Sequence, residues 1–170
     1  PFSRGLTALR KFHVPNKTLN MQTRNPAYQA AVGKVFAEAI CITNLDIRLI
    51  NVEPGRCEAA MHVSSKHLQH LGLIHGGIIA TLAGHTALGA AMSVASSTST
   101  LVSPDFKMTM LRGSDSGELL ASARVLKTGS ALTFVEVEVV NKTETFSRLV
   151  AKASYTLMDS SGLRQIDSAD

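Results

Sequence analysis

Between His75 and Ala95 the chain carries small and apolar side chains on nearly every side of what reads as one long helix. Ala80, Ala83, Gly84, Ala87, Gly89, Ala90 and Ala91 recur with no polar stripe between them. A helix that is apolar all round belongs inside something. Glycine and alanine let neighbouring backbone approach closely, so the covering layer has to lie near the helix axis. One alternative burial is a membrane span of about 20 residues. However, His75 and His85 would then lie in lipid, glycines crowd one end, and both flanks read as strands. A protein layer is therefore the expected cover, and no membrane span is expected.

The flanks supply such a layer. Asn25-Pro26 marks a helix start, and Tyr28 to Ile40 carries Ala31, Val32, Val35, Phe36 and Ile40 at helical spacing. Residues 46–53 and 56–63 read as two strands joined by a turn at Pro54-Gly55. A loop from Ser64 to Leu73 leads into the central helix at 75–95. Four strands follow, near 100–112, 117–127, 131–141 and 147–158. Phe106, Met108 and Met110 share one face of the first, and Val135, Val137 and Val139 one face of the third. Lys127-Thr128-Gly129-Ser130 reads as the turn between the second and third. The order predicts an α+β fold with a largely antiparallel sheet. The expected division is a basic arm at 1–25, a folded domain at 26–158 and a polar tail at 159–170.

A chain of 170 residues suffices for one domain that buries roughly 70% of its unfolded surface. It has no tryptophan and few aromatics, so small and β-branched residues must fill the core. Cys41 and Cys57 lack metal or redox spacing and read as small buried hydrophobes, as suits an intracellular protein. The net charge of +4 is uneven: Arg4, Arg10, Lys11, Lys17, Arg24 and Lys34 all precede the first acidic residue, Glu38. Such a segment reads either as a packing arm or as a mitochondrial targeting segment, with Phe2, Leu6, Leu9, Phe12 and Val14 as an apolar stripe. The protein is expected in the cytoplasm or mitochondrial matrix. No nucleic-acid motif or stacking platform accompanies the positive charge.

The chemistry concentrates where the central helix begins. His75-Gly76-Gly77 places glycine amides at a helix start, where N–H groups lack internal partners and carry partial positive charge. Such amides polarise a carbonyl and hold a developing oxyanion. The same glycines also serve for close packing. His85 has a side chain that titrates near neutrality and is a candidate base, or alternatively a structural hydrogen-bonding residue at a subunit interface. Asp105 and Asp115 are further acids that another strand or chain can bring near.

The stretch from His75 to His85 resembles the active-site helix of small hotdog-fold acyl-CoA thioesterases, which read roughly H-G-G-x-x-x-x-L-x-[D/E]. The resemblance covers most of residues 30–158 and is nearest to PaaI-like and small human-type members. It implies a hotdog fold, in which a curved sheet wraps a long helix. It also implies hydrolysis of acyl-CoA, with no cofactor beyond the CoA of the substrate, no metal, and a homodimer or homotetramer that builds its site from both chains. His75 matches the motif histidine, and Gly76 and Gly77 match the oxyanion amides. Gln69 matches an amide beside the thioester or the water, and Ser103 matches a hydroxyl near that water. Asp105-Phe106-Lys107-Met108 resembles the strand after the helix. Lys107, Arg112 and Lys127 are candidates for the CoA phosphates. Each has a plainer reading: Gln69 as a loop residue, Ser103 before Pro104 as a turn residue, and the cations as solvated.

One position departs from the pattern. Nine residues after His75, where these enzymes carry the catalytic carboxylate, the chain has Gly84. Two readings follow: a thioesterase whose base comes from elsewhere, or an acyl-CoA or acyl-carrier binding protein with hydrolysis lost. A hotdog hydratase is disfavoured, because no Asp-x-Asn-x-x-His pattern is present. If Gly84 marks a lost base and the rest of the site is preserved, Gly84→Asp is expected to raise hydrolysis at least about tenfold.

Overall fold

The structure, a computed structural model, describes residues 21–161. The proposed targeting stripe at the start of the chain and the last nine residues lie outside this range. Helix α1 (Tyr28–Glu38) and a short α2 (Ile40–Asn44) precede strands β1 (Arg48–Glu53) and β2 (Arg56–His62). A single 3-10 turn (Ser65–His67) leads to the central α3 (Gly76–Met92). Then follow β3 (Leu101–Met110), β4 (Glu118–Thr128), β5 (Leu132–Lys142) and β6 (Ser147–Asp159).

The strands form one six-stranded sheet in the order β1-β2-β4-β5-β6-β3, every pair antiparallel. Helix α3 packs on all six strands. This is the hotdog arrangement expected from the sequence, with the small-residue helix as the filling. Leu82, Ala83, Ala87, Ala90 and Ala91 are fully buried on α3. They meet the inward alternating residues of the sheet: Ala59, Met61, Leu119, Ala121, Val135, Val137, Val139, Ala151 and Leu157.

Close approach has a measurable consequence at Gly89. A Cβ there would lie 2.7 Å from Cys57 Sγ and 3.3 Å from Val32 Cγ1. Alanine would ordinarily favour a helix by about 1 kcal/mol over glycine, but overpacking of this kind costs about 1–3 kcal/mol. We therefore expect Gly89→Ala to destabilise the fold in urea, and Cys57→Ala in the same chain to recover most of the loss. A stabilised Gly89→Ala would mean that the helix and β2 are not in close contact.

Three sequence expectations need correction. The first helix does not run to Ile40: Ala39 adopts an extended conformation and splits it, so Ile40 opens α2 and is 75% exposed. Cys41, on that exposed turn, is exposed, whereas Cys57 is buried as expected. Asp159, assigned to the tail, instead ends β6: its N–H donates to Ala131 O at 2.9 Å, and Ser160 N–H donates to Thr100 O at 2.7 Å. At the other end, Arg24 Nε donates to Val94 O at 3.1 Å, so the end of the basic segment lies against the domain.

Strand β3 is one edge of the sheet, β1 the other, and Pro104 fits in β3 because an edge strand can lack one N–H without breaking a ladder. A register shift occurs between Val102 and Asp105. Val102, Phe106 and Met110, with Leu111 just beyond, are all 42–51% exposed. No helix of the described residues is long and apolar enough to cross a membrane.

Candidate functional site

The start of α3 is fixed from three sides. His75 is the N-cap, and its Nδ1 accepts the Gly77 N–H at 2.9 Å. The backbone N–H of His75 donates to His67 O at 2.9 Å, and that of Ile74 to Ser114 O at 2.7 Å. Ser114 is buried and accepts from Asn141 Nδ2, which also reaches Ser116 O at 3.0 Å. The loops at 64–75 and 111–117 are thereby clamped around the helix end.

This arrangement separates the two motif glycines. The Gly77 N–H is committed to His75, while the Gly76 N–H has no partner among the described residues. The Gly77 amide, expected to help hold an oxyanion, is thus taken up by the cap. A Cβ on Gly77 would sit 3.0 Å from His75 Nδ1, so a side chain there would disturb that cap.

A cleft of about 320 Å³ opens beside Gly76. Leu73, Ile74, Ile79, Met110 and Leu111 make its apolar walls, and Gln69 and Arg112 bring polar groups. Gln69 sits at the base of a tight loop: its Oε1 accepts from Leu71 N–H at 3.1 Å, and its backbone N–H donates to Leu73 O at 2.7 Å. With the oxygen so engaged, its NH₂ remains as the donor for a ligand. Arg112 is steadied by a bond from its Nη1 to Leu149 O at 2.9 Å.

The other predicted residues lie elsewhere. Gly84 is two turns further along α3, where the Tyr155 ring fills the space of its absent side chain. A Cβ on Gly84 would lie 3.2 Å from Tyr155 Cε1 and 3.3 Å from its hydroxyl oxygen. Tyr155 O–H donates to Ala80 O at 2.9 Å, and its ring stacks on Phe106 with centroids 5.1 Å apart. Burial pushes the phenol up to about 12. Ser103 Oγ donates to Thr156 O at 3.3 Å, next to Tyr155. The predicted residues therefore form two groups. Gln69, His75, Gly76, Gly77 and Arg112 cluster at the helix start, Gly84 lies against Tyr155, and Ser103 is tied to the backbone of the next β6 residue, Thr156.

His85 joins neither group. It faces Phe36 of α1, edge to ring at 4.5 Å, and does not line the cleft. Lys107 alternates with Phe106 and Met108, so it projects from the outer face of β3. Lys127 lies opposite Phe134, at the other end of the sheet from Gly76. Of the three cation candidates, only Arg112 lines the cleft.

Sequence reasoning assigned no role to Tyr155, Ser114 or Asn141. The available signal for Tyr155 was a helix glycine at the motif's acid position together with a large aromatic at an inward position of a covering strand.

Two histidines set an acid limit on stability. Burial lowers the pKa of His85, opposed by the Val35 backbone. Burial and then the Lys66 charge lower that of His67, opposed by the Leu45 backbone and Asp46. Both folded values lie below the unfolded value of about 6.5, so the unfolded chain binds more protons in between. The stabilising contribution is complete above about pH 6.5 and is lost as pH falls toward the folded values. Urea midpoints should therefore hold near neutrality and decline below about pH 6.5, with His85→Phe flattening part of the decline. Midpoints unchanged from neutrality to pH 5 would refute this assignment.

A family profile described as the thioesterase superfamily matches residues 71–147. Human acyl-coenzyme A thioesterase 13 is 31% identical over 111 residues, covering 65% of this chain and 77% of that protein. A thioesterase family protein from Silicibacter pomeroyi superposes with a TM-score of 0.74 at 26% identity, covering 77% of this chain and 96% of that one. The E. coli PaaI protein shares the fold, with a TM-score of 0.72 at 21% identity over 81% of this chain and 96% of its own. The chain belongs to the thioesterase superfamily and has the hotdog fold of PaaI-like members.

Proposed function

We propose that the protein hydrolyses acyl-CoA thioesters. The observation that carries this reading is the Gly76 N–H at the start of α3, unpartnered among the described residues and beside an apolar cleft. A thioester carbonyl oxygen accepts from that amide, and the Gln69 NH₂ is a second donor as negative charge develops. The acyl chain lies among Leu73, Ile79 and Met110, and Arg112 meets CoA phosphate at the mouth. Water adds to the carbonyl carbon, the C–S bond breaks, and the products are a free acid and CoA. The chain's own residues and the substrate suffice, with no separate cofactor.

The working unit is a homodimer or a pair of homodimers, with residues 26–159 as the catalytic domain. Support comes from β3, an unpaired edge lined by half-exposed Val102, Phe106 and Met110. The place of action is the cytoplasm or the mitochondrial matrix, the latter fitting the basic, acid-poor segment before Glu38.

One observation favours a second reading, that of a non-catalytic acyl-CoA binder. Neither an acid nor a histidine lines the cleft. Thiol release from a panel of straight-chain and aryl acyl-CoAs separates the two. Turnover above the buffer rate supports the enzyme. No turnover, with binding of a non-hydrolysable thioether analogue, supports the binder.

A further inference from the structure

We infer that Tyr155 from a second copy of the chain holds the hydrolytic water over the Gly76 cleft. The inference rests on the thioesterase reading and adds the residue that the cleft itself lacks.

Gly76 and Gly84 are eight residues apart on α3, about 12 Å along its axis. Tyr155 contacts the helix at Gly84 and bonds to Ala80 O, so it cannot share a water with a carbonyl bound at Gly76 of its own chain. Cleft and phenol are both on the side of the sheet toward α3, joined by the exposed edge of β3. Met110 stands at Gly76, its Cε 3.4 Å from a Cβ built there, and Phe106 stands on Tyr155. A two-fold antiparallel pairing of β3 edges centred at Met108 sets Phe106 opposite Met110 of the second copy. That register covers both half-exposed side chains and supplies the edge with hydrogen-bond partners. It also sets the Phe106–Tyr155 stack beside the other copy's Gly76.

The phenol is oriented for this task. Its proton is directed to Ala80 O, so toward a ligand the oxygen is an acceptor. It accepts from a water O–H and aims that water's lone pair at the carbonyl carbon. The new C–O bond forms, the C–S bond breaks, and one water proton passes to the departing CoA sulfur. Tyr155 keeps its own proton throughout, which agrees with a phenol pushed up to about 12. Gly84 has its role here as well, because a side chain there would crowd the ring.

The test is subunit complementation. Tyr155→Phe keeps the ring stack and removes only the hydroxyl. We expect kcat to fall about tenfold or more with KM unchanged, since the group acts on water and not on the acyl-CoA. Differently tagged Tyr155→Phe and Gly76→Pro chains are then co-expressed and the mixed dimer purified. One of its two sites would combine an intact Gly76 with an intact Tyr155, and we expect about half of the wild-type kcat per dimer. Wild-type kcat in Tyr155→Phe, or a mixed dimer as poor as its parents, overturns the proposal and leaves the thioesterase reading standing. A wild-type protein that turns over no acyl-CoA overturns the thioesterase reading, and this proposal with it.

Discussion

Gly76→Pro should lower kcat/KM for acyl-CoA hydrolysis by about 10²–10³-fold while leaving the fold intact. The two halves of this expectation rest on the same geometry. Gly76 is the first helical residue after the His75 cap, the position where proline is favoured and its missing N–H breaks no helix bond. His75 already has φ −65° and ψ 130°, the extended region preferred before proline. The substitution therefore removes one donor and little else. Gly76→Ala is the control: it keeps the N–H and adds only a methyl 3.4 Å from the flexible end of Met110, so it should stay within several-fold of wild type. Steady-state kinetics with a thiol reagent, alongside thermal melts, measure both. A folded Gly76→Pro protein with near-normal kcat/KM would show that the carbonyl is bound elsewhere.

The fold was legible because its strongest constraint is local. A helix with no polar face needs cover on every side, and alternating residues such as Val135, Val137 and Val139 announce the covering strands. The glycine amides at the helix start were legible for the same reason, since helix ends are local features. What failed to show in the sequence depends on pairs brought together by the sheet. The cap that commits Gly77 to His75 needs the actual χ angles of a histidine. The exposure of Cys41 follows from a break at Ala39 that no glycine or proline marks. The seat of Tyr155 against Gly84 links residues 71 apart, and only the β6 register reveals it. That contact changes how the departure from the family pattern is read. Gly84 is more than an absent acid, because the space is taken.

Restoring the acid alone should therefore fail. Gly84→Asp introduces a Cβ 3.2–3.3 Å from the Tyr155 ring and hydroxyl, tighter than ordinary van der Waals contact. Aspartate gains little over glycine in helix propensity, so nothing local offsets the strain. The ring cannot simply swing aside, because it is stacked on Phe106 and bonded to Ala80 O. We expect a loss of about 1–3 kcal/mol in stability and turnover at or below the wild-type level. This reverses the tenfold gain that the sequence alone suggests. The space can be vacated by Tyr155→Val, which keeps a β-branched residue in the strand and removes ring and hydroxyl together. Tyr155→Val alone should be poorly active. Adding Gly84→Asp to it should raise kcat by at least about tenfold over Tyr155→Val, as a carboxylate regains access to the water. The double variant should also be more stable than the sum of the two single changes, because the clash disappears with the ring. A Gly84→Asp protein that is both stable and faster than wild type would show that Tyr155 and a side chain at position 84 do not compete. A double variant no faster than Tyr155→Val would show that this part of the helix does not face the reacting carbonyl.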